Sequence, residues 1–341
     1  MTLDERKKII LESIIKDYVE TAEPVGSRAM VKKHDLKISA ATVRNEMSDM
    51  EDMGFLEQPH TSAGRIPSQK GFRYYVDCMM EKENLNQQEI GLLLQLLDDN
   101  FQELNEVVRK IGYFLSRITN YTSFIIIPSL PLSKFKYLQL IPIEEGMALV
   151  LLVTDIGVVM HRKIEVPISM KPSEVELVGR LCNQILAGKK LNDIQRSDLQ
   201  ELREELKQRR RVIDRMLEAI DNLLDNSSEE KVIVSGALNI MNEPEFRDVD
   251  KLKKILTSFE EEDLLKNLFP DVINDNVNIR IGQENETESF KDLSMVFSGF
   301  KTQGEQGKIC LIGPVRMEYW KAAGTIDSVQ QIIEELIKKH F

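Results

Sequence analysis

Arg44 and Asn45 stand side by side in the segment Ser39-Ala40-Ala41-Thr42-Val43-Arg44-Asn45-Glu46-Met47, and their side chains are well suited to reading base edges. A guanidinium matches the O6 and N7 acceptors of guanine, and a carboxamide matches N6 and N7 of adenine. Both patterns are displayed in the major groove, where every base pair is distinguishable. Ser39 reads as a helix N-cap, with Ile38 and Val43 placed as a hydrophobic staple. Val43, Met47 and Met50 recur at i, i+4 and i+7 and mark the core side of that helix. Ala40, Ala41, Thr42, Arg44, Asn45 and Ser48 are left facing outward, and the small residues of the first turn let the helix end approach a groove closely.

Elements on either side are needed to position such a helix. Leu3 to about Thr21 reads as a first helix with Ile10, Leu11, Ile14, Ile15 and Tyr18 as its apolar stripe. A short helix follows, capped at Gly26 or Ser27 and ending near His34, and the polar connection from Asp35 to Lys37 is short enough for a helix-turn-helix. Gly54 stops the third helix, two short strands flank a polar tip from His60 to Gly64, and Ser68 caps a helix carrying Phe72, Tyr75 and Val76. This is the element order of a winged helix. Arg44 and Asn45 would contact bases, while Ser27, Arg28, Ser39, Thr42 and Ser62 supply polar groups near phosphates. Arg65 would enter the flanking minor groove or bind its backbone, with Gly64 allowing close approach. The alternatives stay open: Arg65 as a solvated strand residue, and a capped amphipathic helix with a hairpin in a domain that never touches DNA.

The whole chain of 341 residues carries a formal charge of −11, which is unusual for a DNA binder. Its distribution resolves the conflict. Residues 1 to 75 hold twelve Lys+Arg against twelve Asp+Glu, so the excess acid lies behind them. Arg28, Lys32, Lys33, Lys37 and Arg44 gather on the helix-turn-helix, a local basic face on an acidic body. Weak non-specific attraction means that a monomer would bind poorly, so dimerisation is expected. No apolar run approaches the ~18 residues of a membrane span, and Asp4 and Glu5 do not fit a signal peptide, which points to a cytoplasmic protein. Cys78, Cys182 and Cys310 are widely separated, and the four histidines form no metal-ligand spacing; buried thiols are the expectation, with no metal and no cofactor. Phosphate-loop, dinucleotide and nucleophile-elbow patterns are missing, so no catalytic residues are assigned and enzyme function has no positive support.

Behind residue 80 the pattern changes several times. Glu89 to Ile118 reads as helical, and Lys136–Pro142, Met147–Val153 and Gly157–Val166 read as an antiparallel meander. Between Ser197 and Leu224, Leu199, Leu202, Leu206, Ile213, Met216 and Ile220 repeat at steps of three and four, interrupted by Arg209. A dimer seam and an intramolecular helical hairpin explain that run equally well. Strands at Lys231–Val234, Val277–Ile281, Leu293–Ser298 and Lys308–Ile312, helices around Asp250–Leu268 and a closing helix with Ile326, Val329, Ile332, Ile333, Leu336 and Ile337 on one face imply an α+β domain interrupted by an insertion.

Several segments resemble the HrcA family of heat-inducible transcription repressors. They are Pro24-Val25-Gly26-Ser27-Arg28, Ala41 to Met47, the Gln58 to Pro67 wing, Gly71-Phe72-Arg73-Tyr74-Tyr75, Gly236-Ala237-Leu238-Asn239, Pro244-Glu245-Phe246, Ile281-Gly282-Gln283-Glu284-Asn285 and Gly313 to Tyr319. The resemblance implies an α+β multidomain chain: a winged helix-turn-helix at 1–80, a helical linker at 81–120, a GAF-like domain at 121–168 and 231–341, and an inserted dimerising segment at 169–230. It further implies a homodimer on double-stranded DNA at an inverted-repeat operator, called CIRCE, ahead of chaperone operons. The GroE chaperonin would be a partner whose titration by heat-unfolded proteins releases repression. No small-molecule ligand is implied, although a metabolite-sensing regulator is the rival. Ser68 stands where threonine is usual and Phe72 where tyrosine is usual, and Ala322-Ala323-Gly324 suggests a break in the last helix.

Overall fold

The computed structural model describes residues 3–60, 63–97, 104–127, 134–154, 159–168, 171–189, 230–270, 276–301 and 306–340. Helix α1 (Glu5–Thr21) starts at Asp4, whose carboxylate accepts the Lys7 backbone N–H, and stops at Ala22 in the left-handed region. Helices α2 (Ser27–Lys33) and α3 (Ala40–Asp52) follow, and the hairpin strands β1 (Leu56–Glu57) and β2 (Ile66–Pro67) pair antiparallel. A single bridge from Val25 to Arg65 ties the approach to α2 onto this hairpin. Gly64 is required there because a Cβ would overlap the Val25 carbonyl, a constraint internal to the protein. Helix α4 (Gln69–Cys78), capped by Ser68, completes the head.

Residues 79–86 run as a strap to α5 (Gln87–Leu97), which precedes α6 (Leu104–Thr119). Five antiparallel strands, β3 (Thr122–Ile127), β7 (Lys231–Ser235), β8 (Asn278–Ile281), β9 (Leu293–Lys301) and β10 (Gln306–Pro314), form one sheet in the order β7-β3-β10-β9-β8. Both faces are covered, so alternate residues enter different cores. Ile125, Val296, Ile309 and Leu311 join α6 and the closing helix α10 (Tyr319–His340). Phe124, Met295, Phe297 and Cys310 pack with helix α8 (Val249–Glu260), through Ile255 and Phe259, and with α9 (Glu262–Asn267), through Leu265.

The meander does not belong to that sheet. Strands β4 (Phe135–Glu144), β5 (Met147–Thr154) and β6 (Val159–Glu165) form a sheet of their own, covered on one side by α7 (Pro172–Leu186). Its core of Leu138, Leu140, Val150, Leu152, Val175, Val178 and Leu186 is separate from the other two. Asn183 fastens α7 to β4 by accepting the Leu138 N–H at 2.6 Å and donating to the Leu138 carbonyl at 2.8 Å. The expected boundary at 168/169 therefore falls inside this unit, and β3, absent from the expected strands, is what remains of the first half of the large sheet. Alternation revealed the meander strands but could not tell which sheet they join. The heptad positions Leu199, Leu202, Leu206, Ile213, Met216 and Ile220 lie outside the described residues.

The closing helix is continuous, contrary to the expected break. Gly324 sits buried within it because the strap passes there: a Cβ would overlap the Glu83 carbonyl oxygen. The Glu83 N–H donates to Trp320 O at 3.0 Å and the Leu85 N–H to Ser328 Oγ at 3.2 Å. Gly324→Ala should therefore destabilise by about 1–3 kcal/mol, the range for overpacking, although alanine is the better helix former by ~1 kcal/mol. Urea unfolding decides the sign, and a stabilised variant would disprove the close approach.

Candidate nucleic-acid interface

Helix α3 divides as its sequence pattern requires. Val43, Met47 and Met50 are buried, whereas Ala41, Arg44, Asn45 and Ser48 are exposed. Ser39 caps the helix by accepting the Thr42 N–H at 3.0 Å, and the Ser39 and Thr42 hydroxyls lie 2.9 Å apart. Both serve the cap before they can serve a phosphate. Arg28 is exposed on α2 and Ser27 is half-buried at its first position. Ser62 lies outside the described residues.

Glu46 would be the wrong charge beside a phosphate chain, and its carboxylate is turned away. It accepts from Lys7 Nζ at 2.6 Å and from Arg6 Nη1 at 3.3 Å, and Lys7 also pairs with Asp49 at 3.3 Å. The bond to Glu46 holds the Lys7 ammonium above its ordinary pKa despite the cost of desolvation. This cluster, with Lys7 and Glu46 largely covered and Arg6 and Asp49 at its exposed rim, ties α3 to the start of α1 while neutralising its central acid. The outward face keeps Arg44 and Asn45.

One expected DNA contact, Arg65, and one residue of the expected basic face, Lys33, are engaged by carboxylates of the protein itself. Arg65 Nη2 pairs with Glu51 at 2.7 Å, and the side chain is only 18% exposed. It ties the hairpin to the last turn of α3, a positioning role that neither the groove-binding nor the solvated-strand expectation contained. Lys33 is held by Asp17 at 2.8 Å and Glu20 at 2.7 Å, which removes it from the basic face. Lys70 went unnoticed in the sequence: its ammonium donates to the Met53 carbonyl at 2.7 Å, closing the C-terminus of α3, and lies 4.8 Å from the Phe55 ring centroid. Cys182 and Cys310 are buried as expected, and Cys78 is exposed.

The head is seated on the large sheet through α4. Phe72 meets Tyr319 edge-on at 5.7 Å between ring centroids, and Tyr75 meets Trp320, the single tryptophan, at 6.1 Å. Arg73 donates from Nε and Nη2 to Glu284 at 2.8 and 2.5 Å and from Nη2 to the Ile279 carbonyl at 2.7 Å. In the opposite direction, Arg316 donates to Val19 O, in the last turn of α1, at 2.9 Å while pairing with Glu243 and Glu245 at 2.5 Å each. Burial works against both guanidinium charges, but the carboxylates outweigh it and both pKa values are raised.

Across its length the chain is 39% identical to the heat-inducible transcription repressor HrcA of Pelotomaculum thermopropionicum, covering 99% of each chain, and 40% identical to that of Carboxydothermus hydrogenoformans, covering 98% of each. Residues 105–323 match the family described as HrcA protein C terminal domain. The chain belongs to the HrcA family. A crystal structure of a hypothetical protein superposes over 100% of both chains with a TM-score of 0.70 at 21% identity, which supports the fold alone. The segments carrying the HrcA resemblance now separate spatially. One set builds α2, α3 and the hairpin; the other, Gly71 to Tyr75, Glu245, Ile281 to Asn285 and Gly313 to Tyr319, meets at the junction between head and sheet.

That junction should respond to alkali. Burial raises the Tyr75 phenol from 10.0 to about 12 and lifts Tyr319 and Tyr121 as well. A phenol whose folded pKa exceeds its unfolded value adds stability below the unfolded pKa and loses it as pH rises through the folded one. Urea midpoints should fall between pH 10 and 12, and Tyr75→Phe should fall less steeply. Identical slopes in the two proteins would remove Tyr75 from the effect.

Proposed function

We propose that this chain is a homodimeric, DNA-binding transcription repressor of heat-shock chaperone operons. Residues 3–80 act as a winged helix that presents α3 to the major groove of an inverted-repeat (CIRCE) operator. The observation that carries the reading is the outward face of α3: Arg44 and Asn45 exposed, with Glu46 withdrawn onto Lys7 and Arg6. Arg28 and the hydroxyls of Ser27, Thr42 and Ser62 would hold phosphates, and Arg65 would hold the wing in place. The large sheet with its helices is assigned as the GAF-like domain, whose first part is 121–127, and the unit beginning near residue 134 as the insertion. The relatives are heat-inducible transcription repressors, which supports the same class and argues against an enzyme.

Dimerisation through the insertion is supported by its small sheet. The face away from α7 exposes Tyr137, Ile141 and Ile143, with Leu149 and Leu151 half-buried beside them. Apolar side chains gathered in this way mark an interaction surface. The GroE chaperonin as partner, a cytoplasmic location and release on heating come from the family resemblance; no helix among the described residues is long and apolar enough to cross a membrane. A gel shift of an inverted-repeat operator fragment, before and after heating and with chaperonin added back, tests the whole reading. Retardation lost on heating and restored by chaperonin supports it, and no retardation under any condition refutes it.

A second reading, a regulator that senses a metabolite, has one observation in its favour. A cavity of about 680 Å³ opens between the head and the large sheet, lined by Arg73, Val76, Asp77, Ile279, Arg280 and Phe297. That volume suits a small molecule. However, Arg73 is already paired with Glu284, while Arg280 is held by a neutral group, the Leu268 carbonyl at 2.9 Å. Native mass spectrometry finding a stoichiometric metabolite that shifts operator affinity would favour this reading over the first.

A further inference from the structure

We propose that Arg73 and Arg316 are positioning residues that set the half-site spacing this protein accepts on DNA. The inference rests on the dimeric operator-binding reading above and adds to it what fixes the two heads relative to their bodies.

The geometry is reciprocal. One arginine leaves the head and binds the body, at Glu284 and the Ile279 carbonyl; the other leaves the body and binds the C-terminal turn of α1, at the Val19 carbonyl. Each guanidinium is fixed by carboxylates of the body, Glu284 for the first and Glu243 with Glu245 for the second. A planar, forked donor on two partners defines direction as well as distance. Gln69 Oε1 accepts the Gln283 N–H at 2.9 Å, and Lys82 pairs with Asp327 at 3.0 Å, extending the contact to the start of α4 and to the strap. None of these groups faces the outer side of α3, so DNA contact does not explain them.

The covalent connection alone could not hold the head, and the apolar contact of Phe72 and Tyr75 with Tyr319 and Trp320 keeps it on the sheet without the forked, directional bonds that fix its angle. The connection consists of residues 79–86, which lack regular structure. Eight residues released from the body would behave as a chain with an end-to-end distance of roughly 16 Å. That distance corresponds to about five base pairs at 3.4 Å each. A repressor tethered in this way would tolerate many spacings between its half-sites. Latched heads would not, because changing the spacer by two base pairs displaces a half-site by about 7 Å and turns it by about 70° around the duplex.

The full-length protein is tested by fluorescence anisotropy on three DNA fragments: the inverted repeat at its native spacing, the repeat with the spacer changed by two base pairs, and one half-site alone. Wild type should lose at least about tenfold in affinity on the altered spacer. The doubly substituted protein Arg73→Met, Arg316→Met should lose less than about threefold, with half-site affinity unchanged. Lysine at both positions should restore part of the discrimination. If the methionine variant also loses half-site binding, its fold is damaged, and Glu245→Gln with Glu284→Gln, at two partly exposed carboxylates, decides instead. Variants that bind half-sites normally and reject the altered spacer as wild type does would overturn the inference. Wild type binding none of the fragments, with chaperonin added as well as without it, would overturn the operator reading itself, which is a different result.

Discussion

Phe72→Ala is expected to lower the unfolding free energy by about 3–5 kcal/mol, the cost of emptying a buried aromatic site, and to loosen the head from the sheet in the same step. The ring is 1% exposed and lies between Tyr18 of α1, at 6.5 Å, and Tyr319 of α10, at 5.7 Å. One core runs without interruption from Ile10 and Met47 in the head to Ile309 and Leu311 in the sheet. A hole at its centre cannot be closed by either side alone, because Tyr319 is anchored by its hydroxyl to Ser294 at 2.6 Å and the Val315 carbonyl at 2.5 Å. Trp320 fluorescence should shift at lower urea than in wild type, together with the loss of helical circular dichroism, since the indole packs on Tyr75 at the same junction. A loss below about 1 kcal/mol, the usual size for a surface change, would mean that head and body are stabilised independently.

How far such features could be read beforehand depends on how local they are. The cap at Ser39, the stripe of Val43, Met47 and Met50, and the stop at Gly54 are set by neighbours in sequence, and each appears in the structure where periodicity places it. Strand β3 escaped because all six of its residues are buried, leaving no alternation to detect. Arg65 and Lys33 looked free because their partners, Glu51 and Asp17, belong to other helices. The junction itself joins residues 211 and 297 positions apart, beyond the reach of any local pattern. One signal was present and misread: a glycine inside an apolar helical run marks either a weak point or a close backbone approach. At Gly324 it is the second, and the Glu83 carbonyl is the reason.

Head and body are thus one packed structure, but the surface assigned to DNA lies apart from it, so stability and binding can be separated by substitution. Arg44→Ala should weaken operator binding by about 1–3 kcal/mol and relax the preference at one base pair. Its unfolding midpoint should stay within about 0.5 kcal/mol of wild type, because the side chain is exposed and packs on nothing in the core. Arg28→Ala should weaken all sequences alike and reduce the dependence of log K on log salt by about one. The contrast between the two is the informative result: a base-reading group changes which sequence is preferred, whereas a phosphate-binding group changes only how tightly any sequence is held. Anisotropy titrations over single-base operator variants at several salt concentrations measure both. If Arg44→Ala binds with unaltered affinity and base preference, the exposed side of α3 is not the recognition face, and the basic residues of α2 become the next surface to test.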